Sequence, residues 1–111
     1  MKVIIKRPCD QFGGEATIPN TLKALQETVG GYIETVTLDN GVVLICNEEG
    51  KLRDMPYNFS ALCSAHAYDA HVEWREVLYG TVIACGVEGD VFADIPIDFN
   101  EWKALLCEWG N

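Results

Sequence analysis

Residues 20–47 read NTLKALQETVGGYIETVTLDNGVVLICN, and every local signal in the run agrees with a capped helix, a glycine stop and a β-hairpin. Asn20 is a good N-cap, because its amide oxygen can accept from a free backbone N–H of the first turn. Pro19 biases the residue before it away from helix. Leu22, Leu25, Gln26 and Val29 share one face at helical spacing, so the helix runs over 20–29. Gly30-Gly31 ends it, since glycine enters the left-handed region without a Cβ clash. Residues 32–38 alternate: Tyr32, Glu34, Val36 and Leu38 on one side, Ile33, Thr35 and Thr37 on the other. Asn40-Gly41 is a strong hairpin signal. Val42 to Cys46 returns as a strand that is apolar throughout, hence buried on both faces.

Outward from this unit, Lys2 to Arg7 reads as a first strand, and Glu15 to Ile18 as a short partner for it. Asn47 to Lys51 is a polar turn. Pro56 keeps residues 54–59 irregular. Ser60 caps a short alanine-rich helix through Ala61, Leu62, Ala65 and Ala67, and residues 60–75 form an insertion or a partner-facing segment. Val77 to Cys85 is a β-branched strand in which Gly80 marks a bulge or a close backbone approach. Asp98 and Glu101 have capping-box spacing, and Trp102, Leu105, Leu106 and Trp109 form the apolar stripe of a last helix over 99–109. The expectation is a single α+β domain over 1–111. Its sheet is small, mixed or antiparallel, with four to five strands and two helices packed on one face. The core contains Ile4, Leu22, Leu25, Val29, Ile33, Val43, Ile45, Val82, Ala84, Trp102, Leu105 and Leu106.

The formal charge of −9 over 111 residues disfavours duplex nucleic acid and anionic membrane surfaces as partners. No apolar run reaches the length of a membrane span, and the apolar part of the N-terminus is too short for a signal peptide. Five cysteines without paired spacing read as reduced thiols, which fits the cytoplasm. From residue 66 onward there are nine acids and two bases, so the C-terminal part is the acidic end.

Cys63, His66, Asp69 and His71 have ligand chemistry but lack the tight paired spacing of a closed zinc site, so no metal and no cofactor are expected. Glu48 and Glu49, beside Asn47 and Asn58, read as a solvated turn rather than an acid–base pair. No thiol is placed beside His66 or His71 as a nucleophile would need, and no glycine pair builds a phosphate loop. The chain is therefore read as non-catalytic. An acidic face of Glu88, Asp90, Asp94, Asp98 and Glu101 could imitate a row of phosphates toward a basic nucleic-acid-binding protein.

The run from Asn20 to Leu52, followed by Pro56 and Asn58, resembles the family of domain of unknown function 3846. Gln26, Gly30-Gly31-Tyr32, Asn47-Glu48-Glu49 and Pro56-x-Asn58 carry the resemblance. It is strong to about residue 58, and VLYGTVIACG resembles the family's last strand. Residues 60–75 depart from the pattern, and Phe59 stands where members often carry Arg. Members resemble small accessory proteins of bacteriophages and mobile elements. The resemblance thus implies a protein of the host bacterial cytoplasm that binds and inhibits a host defence component, an anti-CRISPR-like blocker. Its surface candidates are Gln26, Tyr32, Asn47, Glu48, Glu49 and Asn58. Two alternatives stand beside it. One is an oligomeric sponge for a nucleotide immune signal, using Lys51, Arg53, Tyr57, Tyr68 and Trp74. The other is a non-catalytic regulator of the element itself.

Overall fold

A computed structural model describes residues 1–67 and 70–111. In chain order the elements are β1 (Lys2–Lys6), β2 (Gly14–Thr17), α1 (Leu22–Val29), β3 (Ile33–Thr37), β4 (Val43–Asn47), β5 (Tyr57–Ala67), β6 (Ala70–Tyr79), β7 (Val82–Glu88), β8 (Val91–Ala93) and α2 (Phe99–Glu108). The main sheet has six strands in the order β2-β1-β7-β4-β3, with β8 paired to β7. Its pairs are antiparallel. β5 and β6 form a separate two-stranded ribbon.

The period of two along the central strands sorts the core into two layers. Val3, Val43, Ile45, Ile83 and Cys85 pack with Leu25 and Val29 of α1. Ile4, Leu44, Cys46, Val82 and Ala84 turn to the other side, where Trp102, Leu106 and Trp109 of the last helical segment meet Phe59, Ala61, Cys63 and Leu78 of the ribbon. There, Phe59 stacks on Trp109 and meets Trp102 edge-on. The α+β class is as read. The sheet has six strands rather than four to five, and the helices cover opposite faces rather than one. β4 explains why: all five of its residues are buried, and a strand that is apolar on both sides needs a cover on each.

Several local expectations are corrected. The α1 cap is Thr21, whose hydroxyl accepts from Ala24 N at 3.2 Å. Asn20 instead donates its amide to Phe92 O at 2.8 Å, tying the helix entry to β8. Leu22, the first helical residue, is exposed, while Ile33 and Leu105 are half-buried. Residues 60–67 form no helix. Phe59, Ala61 and Cys63 alternate into the core, and Asn111 binds both Ser60 N and Ser60 O, at 3.2 and 2.9 Å. That burial overrides helix propensity.

The strand read over 77–85 is divided. At Gly80 (φ +74°) the chain leaves the ribbon for the middle of the sheet. A Cβ there would lie 2.8 Å from Met55 Sδ. The close approach on the Cβ side of Gly80 is thus that of the Met55 side chain rather than of another backbone, and the uninterrupted strand does not hold. The capping box of α2 is formed as read, with Asp98 as the N-cap and Glu101 closing back on it.

Candidate functional site

Of the residues that carry the family resemblance, Gln26, Gly30-Gly31-Tyr32 and Asn47-Glu48-Glu49 converge at the C-terminal end of α1, whereas Pro56 and Asn58 lie beside Gly80. Gly30 (φ +81°) caps the helix in the left-handed region, and the N–H groups of Gly30 and Gly31 both donate to Gln26 O, at 2.8 and 3.0 Å. The freed carbonyls find side-chain donors. Asn47, last in β4, donates from Nδ2 to Val29 O at 3.2 Å, and its Oδ1 accepts from Glu49 N at 2.8 Å. Arg53 donates from Nη1 to Gly30 O at 3.1 Å, placing a cation at the negative end of the helix dipole. The turn after β4 is closed by Arg53 N donating to Glu49 O at 2.8 Å.

Gly31 has no room for a side chain: a Cβ would lie 2.8 Å from Asn47 Nδ2 and 3.3 Å from Arg53 Nη1. Around these anchors opens a cleft of about 250 Å³ lined by Gln26, Gly31, Tyr32, Asn47, Glu49 and Arg53. Tyr32 is 69% exposed, and Glu49 and Arg53 are exposed beside it. The cleft thus offers an aromatic face, a carboxylate, a guanidinium and an amide on a tied-down backbone.

The sequence-read surface set divides here. Gln26, Tyr32 and Glu49 line the cleft, and Glu48 is exposed next to it, its N–H donating to Tyr32 O at 2.9 Å. Asn47 and Asn58 are not surface residues, being 4% and 7% exposed. Asn47 is the joint between helix and turn. Asn58 lies in the seam between sheet and ribbon, where its Oδ1 accepts from Lys6 Nζ at 2.7 Å and its Nδ2 donates to Lys6 O and Gly80 O, at 2.8 and 2.7 Å. Burial lowers the Lys6 pKa. No periodicity distinguishes a buried amide from an exposed one, so the sequence left both asparagines on the surface.

The residues proposed for a nucleotide do not come together. Arg53 is in the cleft described. Lys51 borders a smaller cleft of about 180 Å³ with Glu34, Glu48 and Glu76. Tyr57 packs edge-on against Tyr79 and shares a hydrogen bond with Ser60. Trp74 is far along the ribbon and donates to Glu76 Oε1 at 2.9 Å. Tyr68 lies outside the described residues.

Of the acidic set, Glu88 ends β7 and Asp90 sits in the turn before β8, both exposed. The other three carboxylates have structural work. Asp94 accepts from Lys2 N at 2.7 Å. Asp98 accepts from Glu101 N at 2.8 Å, and Glu101 accepts from Asp98 N at 3.3 Å. A larger cleft, about 420 Å³, lies between the β1–β2 pair and residues 95–99.

The Cys/His run is also dispersed. Cys63 is buried and stands opposite Trp74, whereas His71 pairs with the position of His66, on the other face of the ribbon. Asp69 lies outside the described residues, and no group of three potential ligands occurs among the described residues. Burial pushes the thiols of Cys46 and Cys85 up to about 11 and raises Cys63 as well. These three stay protonated at neutral pH, the unreactive form.

The family model for a domain of unknown function (DUF3846) matches residues 1–106, and the chain belongs to that family. The match runs well past residue 58, to which the resemblance was strong in the sequence. No curated protein and no solved structure matches the chain significantly. No helix among the described residues is long and apolar enough to cross a membrane.

Proposed function

We propose that this chain is a non-catalytic binding protein of a phage or mobile element that inhibits a host defence component. The observation that carries the reading is the cleft at the end of α1. Positions 26, 31, 32, 47, 49 and 53, scattered in sequence, line one cleft that includes an exposed tyrosine. Tyrosine and arginine are enriched among the side chains that carry binding energy at protein interfaces, bringing large contact area and directed hydrogen bonds. The net charge of −9 sets the sign of the partner, favouring a basic surface such as that of a nucleic-acid-binding defence protein. Acidic mimicry is supported most by Glu88 and Asp90, whose carboxylates are exposed and not used by caps.

A nucleotide sponge is the second reading, and Arg53 is the observation in its favour: it is a guanidinium in a cleft beside an exposed aromatic ring. The purified protein, incubated with host lysate and separately with a panel of linear and cyclic nucleotides, discriminates the two by mass spectrometry of what co-purifies. A basic protein retained by wild type and lost with Tyr32→Ala supports the blocker. A retained nucleotide supports the sponge. Recovery of neither overturns the defence-inhibitor reading.

A further inference from the structure

The ribbon is half supported. Its near end is sealed into the core by Phe59, Ala61, Cys63 and Leu78. Its far end is not: every residue of β6 from Ala70 to Arg75 is exposed. Val72 and Trp74 show 44% and 42% of their surface. Among the described residues β6 hydrogen-bonds only with β5, so from Ala70 to Arg75 its other edge carries no ladder. Two strands alone are marginal in water and need further strands or packing against a helix; the near end has the helix, and the exposed far end gains least from it. An open edge with adjoining apolar surface is a template for another strand.

We infer that β6 pairs antiparallel with β6 of a second copy, about a two-fold axis at Trp74. The charges on the strand select this register. With Trp74 opposite Trp74, Glu73 of each copy falls opposite Arg75 of the other, giving two ion pairs across the seam. A shift of the axis to residue 73 or 75 sets Glu73 against Glu73 or Arg75 against Arg75. An in-register parallel pairing sets both against themselves. Directly opposed like charges destabilise a sheet, and opposite charges stabilise it. Shifting one strand by a single residue against the other would put the two Trp74 rings on opposite faces.

The side chains involved are available. Glu73 meets His71 Nε2 at 3.0 Å along its own strand. Arg75 uses Nη1 on Trp109 O at 2.7 Å, and its fork carries further donors. The product is an isologous, four-stranded sheet, β5-β6-β6-β5, that covers Val72 and Trp74 on one side. This inference does not depend on the proposed function, since the cleft at α1 is built from other elements.

Sedimentation velocity of the full chain over a range of concentration tests it. A two-chain species that dissociates on dilution is expected. Glu73→Arg or Arg75→Glu alone should weaken it by roughly tenfold, and the pair of substitutions together should restore it. Hydrogen exchange of wild type needs no variant: amides of residues 71–77 should gain protection as concentration rises. A single-chain mass throughout, a dimer indifferent to either single reversal, no rescue by the double change, or unchanged amide protection would each overturn the proposal.

Discussion

Lys6 Nζ donates to Asn58 Oδ1 at 2.7 Å where the main sheet meets the ribbon, and both side chains are buried. The ammonium also sits 5.6 Å from the centre of the Phe59 ring. Asn58 returns two bonds through Nδ2, to Lys6 O and to Gly80 O. One amide thus joins the first strand, the start of the ribbon and the glycine at which the chain re-enters the sheet.

Replacing Asn58 with Ala should therefore cost more than an ordinary surface change. It removes an acceptor from a buried ammonium and a donor from two buried carbonyls. Each orphaned group costs about 1–3 kcal/mol. A loss of about 2–4 kcal/mol in urea melts is expected, since water entering the gap recovers part of it. A loss below 1 kcal/mol would mean that Asn58 does not hold this seam.

Gly31→Ala tests the joint beneath the cleft. The added methyl would displace the Asn47 amide from Val29 O, and with it the tether to Glu49 N. A destabilisation of about 1–2 kcal/mol should follow, together with weaker capture of whatever partner Tyr32 contacts. Asn47→Ala should show the same pattern. A Gly31→Ala protein with wild-type stability and binding would remove the reason for a glycine there.

The helix–hairpin unit was legible because its signals are local: a polar cap, apolar residues at helical spacing, a glycine stop and an Asn-Gly turn. Even there the cap shifted by one residue, since both Asn20 and Thr21 can cap and only the contact with Phe92 O assigns Asn20 elsewhere. The ribbon was not legible. Its alanines favour helix, and the alternation of Phe59, Ala61 and Cys63 matters only against Trp102 and Trp109, some forty residues later. Five of the six cleft residues were named in the sequence as family positions and Arg53 only as a nucleotide candidate, and nothing linear brings Arg53 to Gly30. The acids of 94, 98 and 101 read as one row because charge is visible in sequence; the capping box of Asp98 and Glu101 was legible as well, but the bond of Asp94 to Lys2 N, across 92 residues, was not.

The buried thiols predict both reactivity and a pH dependence. Cys9 and Cys107 are exposed, and Cys46, Cys63 and Cys85 are buried. Iodoacetamide should therefore label two of the five thiols in the native protein and all five after denaturation. The folded pKa values of Cys46 and Cys85, about 11, lie above the ordinary 9.0. The folded state thus holds these protons more tightly, and their contribution is complete below pH 9.0 and lost as pH rises through about 11. Lys6 acts in the opposite sense. Its folded pKa lies below 10.5, so the penalty for its buried charge is relieved as pH rises from that lowered value toward 10.5. The melting temperature should fall over the thiol window, and more steeply in Lys6→Met. A melt that stays flat from pH 9 to 11 in both proteins would contradict these burials.

The acidic end separates charge from architecture. Asp98 caps α2 through Glu101 N, and losing such a cap costs about 0.5–2 kcal/mol. Asp94 holds the amide of Lys2. Reversing either charge should lower stability as well as the field, so a binding defect there is ambiguous. Glu88 and Asp90 are exposed at the end of β7 and in the turn that follows, where a surface substitution usually changes stability by no more than about 0.5 kcal/mol. Glu88→Lys with Asp90→Lys should thus leave the melt unchanged while weakening capture of a basic partner. Wild-type capture should also weaken as the Debye length shrinks from about 10 Å at 0.1 M salt to about 3 Å at 1 M. If the double reversal binds as wild type does and salt has no effect, the acidic face takes no part in binding. Acidic mimicry then fails, and any partner must be held through the cleft around Tyr32.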